Sequence, residues 1–155
     1  TKGVVVKADS YEHDESGITT EDPSIAKMMQ EKRARKGAHL AEEMRRYPGV
    51  GIYGDGKAST ALICWGSNKG VCIEAGAIIG ARVVHVPLLA PFPIAQLERA
   101  LKGAKRVICI ENNVTGQLAG LLGCHGVAVS DKILKYDGRQ FLVEELEERL
   151  ARVTQ

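Results

Sequence analysis

From Pro48 onward the sequence alternates short β-rich runs with helix-like segments, and no other feature restricts the chain as tightly. Strands are expected at Gly51 to Tyr53, Ala61 to Trp65, Arg82 to Val86, Arg106 to Ile110 and Val127 to Val129. Between them Lys69 to Ile79, Ile94 to Leu101 and Gly116 to Leu122 read as helices, and a last helix is expected from Phe141 to about Arg152. That final helix carries Leu142, Leu146, Leu150 and Val153 on one stripe, with Glu144, Glu145, Glu147 and Glu148 near its start, where carboxylates favour the helix dipole. Strands alternating with helices pair in parallel through crossovers, so the sheet is buried on both faces. The expectation is an α/β domain: five strands, with helices above and below.

At 155 residues, 45% of them hydrophobic and 26% charged, the chain is long enough for one such core plus an extension. The division expected is residues 1–47 as a linker segment and basic helix, the remnant of a connection to an upstream domain, and residues 48–155 as the α/β domain. The start, Thr1, Lys2, Gly3, Val4, has neither an initiator Met nor a signal-peptide pattern, so the chain is expected to be cut from something longer.

The extension opens with the apolar run Val4 to Val6, which could pair or pack with structure before Thr1. From Asp9 to Asp22 there follow six acidic residues and no basic one. Asp22 and Pro23 mark a helix start, a capping carboxylate before a residue whose fixed φ suits the first helical position. The helix is expected to run to about Arg46, with Ile25, Met28, Met29, Leu40 and Met44 at an approximate helical period broken by Gly37. Between Lys27 and Arg46 seven basic residues stand against three acidic ones, a solvated face weighed against a docking surface. Few aromatics (5%), an acidic stretch next door and the absence of a binding motif argue against nucleic acid as the partner of Lys32, Arg33, Arg35 and Lys36. No apolar run reaches the roughly 20 residues of a membrane span. Cys64, Cys72, Cys109 and Cys124 include no Cys-x-x-Cys spacing, so no cluster or zinc ribbon is expected; they read as free thiols of a cytoplasmic protein.

The stretch that gathers most chemistry is Glu111, Asn112, Asn113, Val114, Thr115, Gly116, Gln117. It reads as a strand-to-helix turn in which a carboxylate and two amides precede a Thr at the helix N-cap. Ligands and partners of open parallel sheets meet the carboxyl ends of strands, which makes this the expected functional edge. Gly66, Ser67, Asn68, Lys69, Gly70 similarly follows a strand and opens a helix, and Ser67, Asn68 and Lys69 are a candidate anion site, weighed against a plain N-cap and turn. Gly49, Gly51 and Gly54 match a dinucleotide fingerprint literally, but a helix and Pro48 precede them and β-like residues follow, the reverse of what that fingerprint needs. Gly54-Asp55-Gly56 with Asn112 and Asn113 invites a Mg²⁺–diphosphate reading, which the wide separation disfavours; a turn accounts for Asp55 and Gly56. Pro91 and Pro93 bracket Phe92 in a stiff loop that suits a contact surface as well as simple packing. Of His13, His39, His85 and His125, only His13 has acidic neighbours on both sides, Glu12 and Asp14, which suits an acid or base, weighed against a plain surface histidine.

Six stretches in order carry a family resemblance: Glu12-His13-Asp14-Glu15-Ser16-Gly17; Met29 to Lys36, with its Lys-Arg-x-Arg-Lys core; Trp65-Gly66-Ser67; Pro91-Phe92-Pro93; Glu111-Asn112-Asn113 with Gly116-Gln117; and Lys135-Tyr136-Asp137-Gly138-Arg139. The chain resembles the C-terminal part of the α subunit of 2-oxoacid:ferredoxin oxidoreductases, closest to the 2-oxoglutarate type. The resemblance implies a transketolase C-terminal-like domain: a three-layer α/β/α sandwich on a mostly parallel five-stranded sheet whose first strand, Gly51 to Tyr53, runs antiparallel.

The family couples oxidative decarboxylation of a 2-oxoacid and acyl transfer to coenzyme A with reduction of ferredoxin, using thiamine diphosphate, Mg²⁺ and iron–sulfur clusters. The resemblance implies that the pyrimidine-binding domain lies upstream in the same subunit and that the diphosphate and Mg²⁺ belong to the β subunit. This chain alone is therefore expected to bind no cofactor or metal and to be inactive. It would order the subunit and build interfaces, with ferredoxin reached only through the complex. His13 and Asp14 would approach the active-site entrance, while Glu111, Asn112, Asn113, Gly116, Gln117 and Phe92 would meet a neighbouring domain or subunit. The same strand-end groups suit an alternative, a free-standing doubly wound module holding a small anion or nucleotide near Ser67, Asn68 and Asn112.

Overall fold

The computed structural model describes residues 2–3 and 11–154; Val4 to Val6 and Asp9 lie outside the described residues. The chain divides into two units, residues 1–46 and 47–155.

In the first unit, His13 and Thr19 form an antiparallel bridge across a tight turn. Asp14 closes that turn by accepting the main-chain amides of Ser16 at 2.8 Å and Ile18 at 2.9 Å. Helix α1 then spans Pro23–Met44. Asp22 caps it through the amides of Ser24 (2.8 Å) and Ile25 (3.2 Å), with Pro23 at the first helical position, as the sequence requires. No residue of α1 is buried, so within this unit the helix has no core of its own.

The second unit is the sandwich. Strands β1 (Gly51–Tyr53), β2 (Thr60–Cys64), β3 (Arg82–His85), β4 (Arg106–Glu111) and β5 (Asp131–Leu134) form one sheet in the order β1-β3-β2-β4-β5. All neighbours are parallel except β1, which runs antiparallel to β3 as the resemblance implies. The central strands β2 and β4 are continuous apolar runs, the composition expected of a strand covered on both faces. Their side chains alternate between two cores. Leu62, Cys64, Ile108 and Ile110 join Cys72 and Ala75 of α2 (Lys69–Ile78) and Leu146 and Leu150 of α5 (Val143–Thr154). Ala61, Ile63 and Cys109 join Val84 of β3, Leu97 of α3 (Ile94–Leu101) and Leu118 and Leu122 of α4 (Gln117–Cys124). The layers are thus α2/α5, sheet, α3/α4.

Three expectations are corrected. The last strand is Asp131–Leu134 and not Val127 to Val129: those two valines pack on the α3/α4 core from a loop. Pairing starts only where Ser130 donates its amide to Val107 (2.8 Å) and Asp131 meets the Arg106 guanidinium (3.0 Å). As an edge strand, β5 keeps polar residues that make it look like a turn in sequence. The final helix begins at Val143; Phe141 is a buried anchor ahead of it, with the cationic groups of Lys135 and Arg149 over its ring. Thr115 does not cap α4; Gly116 holds that position in a left-handed conformation (φ 67°), and the capping comes from elsewhere.

One packing element escaped the sequence reading. Arg82, at the start of β3 and 1% exposed, donates its guanidinium to the main-chain carbonyls of Ala58 (2.8 Å), Ala100 (2.9 Å) and Lys102 (3.1 Å). Among the described residues no carboxylate pairs with it. It ties the loops before β2 and after α3 to the amino end of the sheet.

Candidate functional site at the carboxyl edge of the sheet

Chain connectivity fixes where a site can form. From β2 the chain crosses to β3 on one side and then returns to β4 on the other, so the loops leaving β2 and β4 diverge at their carboxyl ends, where doubly wound sheets open a crevice. This brings together the Gly66–Asn68 3-10 turn, the Glu111–Gln117 turn and the Lys135–Gln140 loop. Ser67 Oγ lies 3.3 Å from Gln140 Oε1, and Asn112 Nδ2 donates to the Arg139 carbonyl at 3.4 Å.

The Glu111 carboxylate is fully buried and faces inward. It accepts the amides of Leu118 (2.7 Å) and Ala119 (3.0 Å), the side-chain amide of Asn113 (2.8 Å) and the Cys109 thiol (3.4 Å). Burial pushes its pKa up, but the donors from Leu118, Asn113, Ala119 and Cys109 outweigh burial and hold the group below the usual carboxylate range. Asn113 Oδ1 in turn accepts the amides of Gly116 (2.7 Å) and Gln117 (3.1 Å). Every amide from Gly116 to Ala119 therefore has a partner within the chain. The α4 N-terminus is closed by its own carboxylate, leaving Asn112, Val114, Thr115 and Gln117 as the exposed side of the turn.

Ser67, Asn68 and Lys69 turn to different neighbours. Ser67 faces Gln140, Asn68 is buried, and the Lys69 ammonium lies 4.9 Å from the centre of the Tyr53 ring. Beside them the half-buried His85 ring has a pKa below the usual histidine value, because burial and the Lys69 charge outweigh the Gly66 main chain. Phe92 stacks on His125, ring centres 4.6 Å apart and planes at 15°.

The Mg²⁺–diphosphate reading fails on geometry. Gly54 packs on the Ala81 carbonyl at the amino end of the sheet, and the Asp55 carboxylate closes a turn on the Lys57 amide (2.9 Å). Asn112 and Asn113 stand at the opposite end, beyond β4. Among the described residues no group of three or more His, Cys, Asp or Glu side chains could hold a metal, and no helix is long and apolar enough to cross a membrane.

In the first unit, Arg33 forms a two-pronged ion pair with Glu12, one arm at 2.9 Å. The Glu12 carboxylate also accepts the His13 amide (3.1 Å), and the Arg33 contact above all holds its pKa near 2. His13 and Asp14 thus sit on a turn whose main chain is fixed on both sides.

The chain is thus a doubly wound α/β domain with a reversed first strand, whose carboxyl-edge helix α4 is closed on an internal carboxylate. Over most of its length its homologues are α subunits of 2-oxoacid:ferredoxin oxidoreductases. It is 39% identical over 134 residues to the α subunit of 2-oxoacid:ferredoxin oxidoreductase 2 of Aeropyrum pernix, matching 83% of this chain and 21% of that one. To subunit alpha of 2-oxoacid:ferredoxin oxidoreductase 1 of Sulfurisphaera tokodaii it is 34% identical over 145 residues, 92% of this chain and 23% of the relative. The chain therefore spans about a fifth to a quarter of the curated relatives it matches. Among solved structures it matches the 2-oxoglutarate:ferredoxin oxidoreductase of Magnetococcus marinus, which holds 2-oxoglutarate, coenzyme A and succinyl-CoA. The TM-score is 0.69 at 25% identity, covering 100% of this chain and 28% of that one. No protein-family model matches the chain.

Proposed function

We propose that this chain is a non-catalytic domain of the α subunit of a 2-oxoacid:ferredoxin oxidoreductase. The complex converts a 2-oxoacid, 2-oxoglutarate being the favoured one, to its acyl-CoA with reduction of ferredoxin in the cytoplasm. The observation that carries this is the match to the 2-oxoglutarate enzyme along the whole chain, joined to 39% identity with an α subunit. Thiamine diphosphate, Mg²⁺, iron–sulfur clusters and coenzyme A belong to other parts of the complex; this domain orders the subunit and builds its interfaces. Residues 1–47 connect it to an upstream pyrimidine-binding domain, His13 and Asp14 lie toward the active-site entrance, and Asn112, Gln117 and Phe92 face a neighbouring domain or subunit. Glu111, Asn113 and Gly116 shape that face from behind.

The test is the native complex purified through its full-length α subunit, assayed for 2-oxoacid- and coenzyme A-dependent reduction of ferredoxin or a viologen dye. Activity with thiamine diphosphate and iron present is expected. A lone, colourless, inactive protein overturns the reading. His13→Ala and Asn113→Ala are expected to reduce activity or assembly of that complex, and unchanged kinetics and assembly for both would remove the roles given to those two residues.

A further inference from the structure

The surface beside the Glu111–Gln117 turn carries two clefts separated by one aromatic side chain. One, of about 410 Å³, runs along the outer edge of β5, with Val114, Ile133, Leu134 and Val153 around it. The other, of about 380 Å³, lies between Asn112 and the loop containing Gly138, Arg139 and Gln140. Tyr136 lines both. It is 66% exposed and Val114 is 60% exposed, large apolar surfaces facing solvent at the rim of a polar edge. Among the described residues no strand pairs with the outer side of β5; the Arg149 guanidinium takes the Leu134 carbonyl (2.9 Å), and the rest of that edge has no strand partner.

The charges around this surface are of one sign once internal pairs are accounted for. No carboxylate lines either cleft. Arg149 is held by Glu145, Arg152 by Glu148, and Lys135 by Glu145 and Asp137. Lys132 and Arg139 have no carboxylate partner among the described residues, so two positive charges remain uncompensated, one at each cleft. An edge strand with no strand partner on its outer side, one cleft with apolar and basic walls, a second with polar walls, an exposed Tyr and unpaired cations are together what an extended protein segment bearing carboxylates would recognise.

We propose that this face docks an extended, acidic segment of another subunit of the oxidoreductase, laid along the β5 edge with its carboxylates on Lys132 and Arg139 and its apolar side chains against Tyr136 and Val114. The proposal rests on the functional reading above and names the chemistry of the partner that reading requires.

The experiment uses the full-length α subunit and its co-expressed partner subunits. Assembly is measured by mass photometry over a dilution series for the wild type, Lys132→Glu, Arg139→Glu, Tyr136→Ser and, as a control at the opposite end of the sheet, Lys57→Glu. Hydrogen exchange is followed across Asp131–Leu134 in the free subunit and in the complex. The expected result is a dissociation constant raised about tenfold or more by each of the first three variants and unchanged by the control. Unaltered thermal unfolding of the free subunits and β5 amides protected only on assembly complete it. An active wild-type complex with no such loss, or with equal β5 exchange in both forms, overturns the docking proposal and leaves the oxidoreductase reading standing. Full β5 protection in the free subunit places the occupant inside the α subunit and overturns it too. A wild-type subunit that neither assembles nor supports activity removes both.

Discussion

The carboxylate of Glu111 accepts the main-chain amide of Leu118 at 2.7 Å, so the last residue of β4 is locked to the first turn of α4 by a single side chain. Replacing it with Gln keeps the size but turns two amide donors toward a group that no longer accepts on both arms. Glu111→Gln is expected to lower stability by about 1–3 kcal/mol, with Glu111→Ala worse, in urea unfolding. The sign of the pH effect follows from the depressed folded pKa. The contribution is complete above the unfolded value of about 4.3 and is lost as pH falls through the folded value. The Gln variant should therefore lose less stability between neutral and acid pH than the wild type.

Arg82 anchors the amino end of the sheet through carbonyls alone. Arg82→Ala strands those acceptors in the interior and is expected to cost roughly 3 kcal/mol or more, read as a drop in the urea midpoint. Arg82→Lys should rescue little, because one ammonium cannot reproduce the spread of a guanidinium over three carbonyls.

The Glu12–Arg33 pair gives a titration test confined to the first unit. Because Arg33 above all lowers the Glu12 pKa to about 2, the turn is stabilised above the ordinary carboxylate range and released as pH falls toward that value. In Arg33→Gln the Glu12 midpoint, followed by carboxyl NMR shifts, should rise toward about 4.3. An unmoved midpoint would mean the pair does not form in solution.

Gly76 lies where α2 presses on the sheet: a Cβ there would meet Val83 Cγ2 at 2.7 Å and Leu62 Cδ1 at 3.5 Å. Alanine would gain up to about 1 kcal/mol of helix propensity, yet forcing it into a packed face costs about 1–3 kcal/mol. Gly76→Ala should be net destabilising and Gly76→Val much more so, whereas Gly120→Ala in α4, with nothing within 4 Å, should be neutral or stabilising.

The elements easiest to read in the sequence were those whose residues serve one purpose. Apolar β2 and β4 could only be buried strands, and Asp22 with Pro23 could only start a helix. Residues with divided duties were harder. Asp131 and Lys132 look like turn residues because β5 is an edge, while Val127 and Val129 look like a strand because a loop can also fill a core. Glu111 stands out at the head of its turn, but sequence cannot say whether a carboxylate at a strand end points outward or back into its own helix. Arg82 gave no signal, since its acceptors are carbonyls on loops far away in the chain. Tyr136 and Arg139 belong to one short motif in the sequence, and only the fold sets them beside Val114 and Lys132.

Cys64, Cys72 and Cys109 lie wholly within the two cores. The neighbouring Cys64 thiol and burial push Cys72 upward, and burial chiefly does the same for Cys109, so both stay as unreactive thiols. Only Cys124 is exposed to alkylating reagents in the native state. The domain thus carries a built-in clock: one thiol labels at once, and the other three label only as fast as the sandwich opens. An interior that keeps three of its four thiols away from solvent ages by unfolding rather than by direct attack.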